Sequence, residues 1–397
     1  MDAVDRLQEG SVVGRHVLKQ LLGKGHFSHV WESTEHLAVK VQRAEYWEEG
    51  WDEAKLWSML GTDPPNALPL LEHFVAGAGG AVLPKCKNKH QKPECPANHV
   101  FVSPVGGQSM LHWQELFRRG HQTPTPRLAA HVAHSLLHAL EFMRSRRLVH
   151  TDMKPENVLF NTNAASVEEL LGGAPLTVVV VDFGNACDEW EPASDKIQTR
   201  EYQSPEAIVC APYSFSADMW SVGVILYEFV TGNYMFDVYE AIHEDEGYDS
   251  AEEKEYVFEE GEVEEEESSS CSEAGRATPD STSSVNSELL NFEHLAQIHA
   301  VCGRPLPRGL MRGGLDSKTY YTRKRLLRRG DEYKDRTVYD DMVRHYSIPE
   351  TYAQTMHELI TPMLHIVPQS RCTPRQALDN PALERLAALQ PPPPPPA

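Results

Sequence analysis

The 397-residue chain predicts an α+β fold in two lobes, a β-rich N-lobe joined to an α-rich C-lobe. Three observations carry the prediction. Strand-like apolar runs fill the first part of the chain. Helical apolar spacing dominates from Leu111 onward. A composition of 41% hydrophobic and 24% charged residues suits one large or two modest globular domains.

Residues 1–11 form a polar, acidic tail without the apolar core of a signal peptide. The N-lobe is expected over 12–104. Val12 to Leu22 alternates loosely and leads into Gly23-Lys24-Gly25-His26-Phe27-Ser28-His29-Val30, after which Trp31 opens the return strand. Leu37 to Lys40 is a short apolar strand ending in its lysine. Tyr46 to Leu60 has helical spacing through Trp47, Trp51, Ala54, Leu56, Trp57 and Leu60, and carries Glu53.

The C-lobe is expected over 105–236 and again over 288–386. Its strongest signals are a helical stretch from Leu128 to Met143, an apolar strand from Val178 to Val181, and a very apolar, buried helix from Ala217 to Thr231. Between the two parts, 237–287 is a Ser- and Glu-rich insert expected to stay unstructured. Of the chain's net charge of -21, Glu240 to Asp280 carries -15 (17 acidic residues against Lys254 and Arg276), leaving -6 elsewhere. The pattern resumes as a helix at Leu289 to Leu295. Residues 387–397 form a Pro-rich tail suited to polyproline II.

No run of eighteen apolar residues occurs, so no membrane span is expected. Seven scattered cysteines fit free thiols in a reducing compartment, the cytoplasm or nucleus. An acidic chain is poorly suited to direct contact with nucleic acid. A monomer is expected.

The chemistry concentrates in His150-Thr151-Asp152-Met153-Lys154-Pro155-Glu156-Asn157 and Asp182-Phe183-Gly184. Phosphoryl transfer from ATP needs a carboxylate that orients the attacking hydroxyl, a cation on the transferred phosphate, and ligands for Mg²⁺. Asp152, Lys154, Asn157 and Asp182 supply these in that order. Gly23 and Gly25 let the upstream hairpin approach phosphates where a Cβ would obstruct. Lys24, His26, Phe27, Ser28 and Val30 complete that loop. Lys40 is placed for the α- and β-phosphates with Glu53 as its partner, and Ala38 and Leu159 belong to the same expected nucleotide site. Thr199 and Tyr202 are expected to line the substrate pocket. Glu206 is expected to pair with Arg371, and Asp218 to brace the catalytic loop backbone.

On these residues the chain resembles the eukaryotic protein kinases over roughly 12–386, the insert excepted. Within them it is most similar to SR-protein kinases of the CMGC group, through Gly-x-Gly-His-Phe-Ser-x-Val-Trp at Gly23 to Trp31, His-Thr-Asp-x-Lys-Pro-Glu-Asn, Gly184-Asn185-Ala186-Cys187 and Thr199-Arg200-x-Tyr202. Glu293-His294-Leu295-Ala296 and Phe183 resemble the neighbouring LAMMER (CDC-like) kinases. The resemblance implies a bilobal protein kinase fold, ATP and Mg²⁺, and phosphorylation of Ser in Arg/Ser-rich, splicing-factor-type proteins. Alternatives are a LAMMER-type dual-specificity enzyme, a kinase with a diverged substrate, or an ATP-binding scaffold. Thr151 stands where many kinases carry an Arg that an activation-loop phosphate neutralises, so activity without activating phosphorylation is expected. By the same register Ser103 sits beside the adenine where the family has Phe, Pro104 offers a carbonyl and Gly106 an N–H.

Other signals are weaker. Cys86, His90, Cys95 and His99 are zinc-ligand types at a spacing that matches no trusted motif, and are read as part of a loop. Arg323-Lys324-Arg325 with Arg328-Arg329 is read as a solvated helix face rather than a nuclear-localisation patch. Ser250 and Ser270, each with Glu three residues later, suit acidophilic kinases.

Overall fold

The alternating apolar residues of the first hundred positions need a common face to bury, and they find it in one antiparallel sheet. The computed structural model describes residues 3–77, 79–84, 97–192, 196–239, 281–303, 306–328 and 334–390, with the backbone alone at 281–286. The sheet has the order β1-β2-β3-β4-β6-β5, from Val12–Val13 (β1), His16–Lys24 (β2), Ser28–Ser33 (β3), Leu37–Gln42 (β4), Glu72–Gly77 (β5) and Ala97–Pro104 (β6). Gly14, at φ 62°, turns the chain between β1 and β2 where the sequence suggested a single strand. Val13, Leu18, Trp31, Val39, Val100 and Val102 build the core of this lobe.

Helix α1, Trp47–Ser58, lies against β6. Its Leu56 and Trp57, with Phe101 of β6, belong to the same apolar cluster as the C-lobe. The lobes therefore share a core behind the cleft, and α1 is held from both sides.

The C-lobe is helical because its apolar residues recur at helical spacing. Helix α2 is Met110–Arg119 and α3 is Pro126–Ser145. Thr125 caps α3 by accepting from Leu128 N–H, and Pro126 occupies the first turn. Short strands follow: Leu148–Val149 (β8) pairs with Cys187–Asp188 (β11), and Val158–Thr162 (β9) lies between Leu176–Val180 (β10) and Gln108–Ser109 (β7). These hairpins leave residues 150–157 and 182–184 as loops at the cleft. The Phe215–Thr231 helix is buried from Ala217 to Val230, as a helix apolar on all sides must be.

The helix read at Leu289 begins earlier, at Ser281, and runs to Cys302. Gln297 Nε2 donates to Asp237 O at 2.8 Å, tying it to the start of the insert. Residues 240–280, with Ser250 and Ser270, and the prolines from 391 onward lie outside the described residues. No described helix is long and apolar enough to cross a membrane.

Two readings need correction. The basic stretch is not a helix face: Tyr321 and Leu327 bridge antiparallel and Thr322 N–H donates to Leu326 O, so Arg323 to Arg325 form a turn. Arg325 takes φ 64° and donates to Leu306 O. Nor does His99 belong to a loop. It is buried in β6, where its ring stacks on His73 and packs against Trp47 and Trp51, with 2.8 Å between His73 Nε2 and His99 Nδ1. Burial first, then the neighbouring His73, lowers its pKa to about 3. Cys86, His90 and Cys95 lie outside the described residues.

Candidate active site

Lys40 sits within β4, half-buried and with Val41 and Gln42 still to follow rather than at the strand's end, and its ammonium reaches both lobes. It donates to Glu53 Oε1 on α1 at 2.8 Å and to Asp182 Oδ1 at 3.0 Å. Burial opposes its charge, but the Asp182 and Glu53 carboxylates outweigh that and hold its pKa above the lysine range. Lys40 in turn lowers Asp182 to about 2, so that carboxylate stays ionised at any ordinary pH. Asp182 takes φ 65° at the end of the β10 segment, a left-handed conformation that few non-glycine residues adopt.

The 150–157 loop is braced from below. Asp218, in the first turn of its buried helix, accepts from His150 N–H at 2.7 Å and Thr151 N–H at 2.9 Å. His150 Nε2 donates to Val181 O, which ties this loop to the chain entering Asp182. Thr151 Oγ1 donates to Asn185 O at 2.6 Å, and Gln198 N–H donates to Thr151 O at 2.8 Å. The segment after Asp182 is thus held by uncharged hydrogen bonds where an Arg would otherwise stand.

Asp152 Oδ1 accepts from Thr199 Oγ1 at 2.7 Å and Thr199 N–H at 3.2 Å. Lys154 Nζ lies 3.1 Å from Asp152 Oδ2 and donates to Thr199 Oγ1 at 3.0 Å. Asn157 Nδ2 donates to Asp152 O at 2.8 Å, which leaves its amide oxygen available to a cation. The described residues contain no cluster of three or more acidic, His or Cys ligands. Asp182 with Asn157 nevertheless suits Mg²⁺, which keeps waters and substrate phosphates in its shell and needs few protein ligands.

Above the cleft, Gly25 N–H donates to Ser28 O at 2.9 Å, and Lys24 pairs with His29 across the hairpin. A Cβ on Gly23 would meet nothing within 4 Å, so the space it borders is open. Val30 lies opposite Lys40, and Ala38 opposite Ser103 on β6. Pro104 closes that strand. A Cβ on Gly106 would collide with Leu159 of β9, so glycine lets the connecting segment settle onto this residue. The structure therefore brings the glycine loop, Ala38, Ser103, Gly106 and Leu159 around one cleft with Lys40, Asp182 and Asp152.

Tyr202 departs from its expected place. It is 3% exposed, and its hydroxyl donates to Glu228 Oε2 at 2.7 Å, so it anchors the segment rather than lining the pocket. A cleft of ≈ 320 Å³ beside Asp152 is lined instead by Thr151, Lys196, Gln198, Thr199 and Gln203.

Comparison with known proteins agrees with this geometry: residues 97–383 match the family model described as "Protein kinase domain". The chain belongs to the protein kinase family. The match starts at β6, so the glycine loop and Lys40 lie upstream of it and are placed by the structure. Relatives include "Dual specificity protein kinase CLK2" of Homo sapiens, 27% identical over 66% of this chain and 44% of its own length. Others are "Dual specificity protein kinase lkh1" of Schizosaccharomyces pombe, 29% identical over 57% of the chain and 32% of the relative, and "Serine/threonine-protein kinase SKY1" of Saccharomyces cerevisiae, 26% identical over 53% and 22%. The chain thus spans less than half the length of the curated relatives it matches.

Within this kinase domain, Gln198 is the residue that sequence reasoning missed. Besides its bond to Thr151, its amide donates to Ala217 O and Ser221 Oγ and accepts from Ser204. It adopts φ 68°. A lone glutamine just ahead of the Thr199-Arg200-x-Tyr202 motif carries no signal in the sequence.

Proposed function

We propose that this kinase domain transfers the γ-phosphoryl group of ATP to Ser or Thr hydroxyls flanked by arginine, and does so without activation-loop phosphorylation. Asp152 orients the acceptor hydroxyl and takes its proton. Thr199 fixes the Asp152 rotamer through two hydrogen bonds. Lys154 neutralises charge on the transferred group, and Lys40 orients the α- and β-phosphates. Pro104 O and Gly106 N–H hold the adenine. Mg²⁺, on Asp182 and Asn157, would neutralise charge on the leaving diphosphate. The uncharged ties of Thr151 to Asn185 and Gln198 support independence from activating phosphorylation.

One observation carries the substrate class. Glu156, Glu201 and Glu228 gather in and beside the catalytic loop with Tyr234: burial first, and then neighbouring carboxylates, raise the pKa values of Glu156, Glu228 and Tyr234. Burial first, and then the Glu156 charge, pushes Glu228 up to about 7. A guanidinium docking there relieves like-charge crowding and donates bidentate hydrogen bonds to a carboxylate. This supports Arg/Ser-rich proteins as substrates.

The test is phosphate transfer by unphosphorylated protein to Arg-Ser, Ser-Pro, acidic Ser and Arg-flanked Tyr peptides, with Asp152→Ala as control. Selective transfer to Arg-Ser is expected, with a raised KM for that peptide in Glu156→Gln and Glu201→Gln. Equal use of the Tyr peptide would make the enzyme dual-specific, as the names of two relatives say of them. Nucleotide binding without transfer to any peptide would leave a scaffold.

A further inference from the structure

The glycine loop is held from outside the nucleotide site. Arg43 follows β4 directly, and its Nε donates to His26 O at 2.8 Å while its backbone N–H donates to Phe27 O at 2.9 Å. His26 and Phe27 form the tip of the loop, and Tyr46 packs edge-on against the Phe27 ring at 4.7 Å between centroids. The guanidinium is itself oriented by Asp5, whose two oxygens accept from Nη1 and Nη2 at 2.8 Å each. Asp5 Oδ1 also lies 3.6 Å from His29 Nε2 on β3.

Asp5 sits on the single turn Val4–Arg6, and that turn is anchored because Val4 is buried among Val13, Leu18 and Val39. The N-terminal segment, the end of β4 and the loop tip thus form one connected unit. Both side chains are shielded from water (17% exposed for Arg43, 26% for Asp5), where a fork-to-carboxylate pair holds better than at an open surface. A loop with two flexible glycines would otherwise have to be ordered when nucleotide binds, at a cost in affinity.

We propose that Asp5 and Arg43 are positioning residues for phosphate transfer: Asp5 orients the Arg43 guanidinium, and Arg43 fixes the backbone of the phosphate-covering loop before nucleotide arrives. Neither residue touches the substrates. Their effect passes through His26 and Phe27.

The test compares the full chain with Asp5→Asn, Asp5→Glu, Arg43→Gln, Arg43→Lys and the double variant Asp5→Asn/Arg43→Gln. Expected are a rise of about tenfold in KM for ATP and in Kd for MgADP, with the KM for peptide unchanged. Without nucleotide, amide exchange across Lys24 to His29 should speed up while the rest of the small lobe keeps its protection. Arg43→Lys should fail to restore binding because it lacks the fork, Asp5→Glu should restore it, and the double variant should be no worse than either single one. Unchanged exchange at the loop with unchanged nucleotide affinity would overturn the proposal. So would a fall in Tm in which kcat and both KM values deteriorate together, the mark of a merely structural pair.

Discussion

Arg371 and Glu206 face each other with no exposure to water, guanidinium to carboxylate at 2.7 and 3.0 Å. Lys40 divides its ammonium between Glu53 and Asp182, itself 17% exposed beside an Asp182 carboxylate that is 44% exposed. The groups are similar and the duties differ. A planar guanidinium that also donates to His365 O and Ser216 O and lies over the Trp220 ring is fixed in one arrangement, which suits a permanent clamp beneath the activation segment. A lysine is a point charge, and one shared by two carboxylates at an open cleft can exchange part of that contact for a phosphate. Burial and donor geometry, rather than charge, separate the structural pair from the functional one.

The comparison breaks most sharply at the two cations. Lys40→Met should lower phosphoryl transfer by on the order of 10²–10³. Its urea midpoint should hardly move, because burial already pushes the Glu53 carboxyl upward and it can take up a proton. Arg371→Leu should do the reverse: a stability loss of about 3–5 kcal/mol from an uncompensated buried carboxylate, read by urea unfolding. Arg371→Lys should recover only part of it. Comparable losses of stability in the two variants would erase the distinction.

A smaller effect separates Glu228 from both pairs, since a hydroxyl rather than a cation meets this buried carboxylate. Its carboxyl is neutral below about 7 and ionised above. The KM for Arg-flanked peptides, relative to neutral-flanked ones, should therefore fall severalfold between about pH 6 and 8, and Glu228→Gln should flatten the profile. Stability runs the other way. The folded pKa lies above the ordinary 4.5, so this contribution is fully present below 4.5 and is lost as pH rises through about 7. A pH-independent KM ratio would remove Glu228 from the cation subsite.

Much of this arrangement is local and so legible in the sequence. Loops 150–157 and 182–184 draw their chemistry from contiguous residues, and the Phe215–Thr231 helix announces its burial by being apolar on every side. The ties between segments are not local. Tyr202 reads as a pocket residue until Glu228, 26 positions away, claims its hydroxyl. His99 reads as part of a loop, yet the strand Ala97–Pro104 carries it into an aromatic core. The basic residues after Tyr321 have helical spacing, but Thr322 closes a turn on Leu326 that spacing alone does not reveal. The bond of Asp5 to Arg43 spans 38 positions and has no motif.

The finest distinction concerns the adenine end of the cleft. Ser103 is 4% exposed on β6, opposite Ala38. Phe101 shares its face of the strand, with Lys40 Nζ 5.9 Å above its ring. A serine at this point offers less bulk than the phenylalanine that the resemblance implies there, so an ATP analogue with a bulky N6 substituent should compete with ATP. Ser103→Phe should weaken that analogue about fivefold and leave ATP nearly unaffected, because ATP needs only the backbone beside it. If the analogue fails against the unaltered protein, the aromatic stack behind Ser103 decides access instead. In that stack Trp57 lies 5.9 Å from Phe101 and 5.8 Å from Phe183, ring centre to ring centre, and enlarging the pocket would then require trimming Phe101 rather than residue 103.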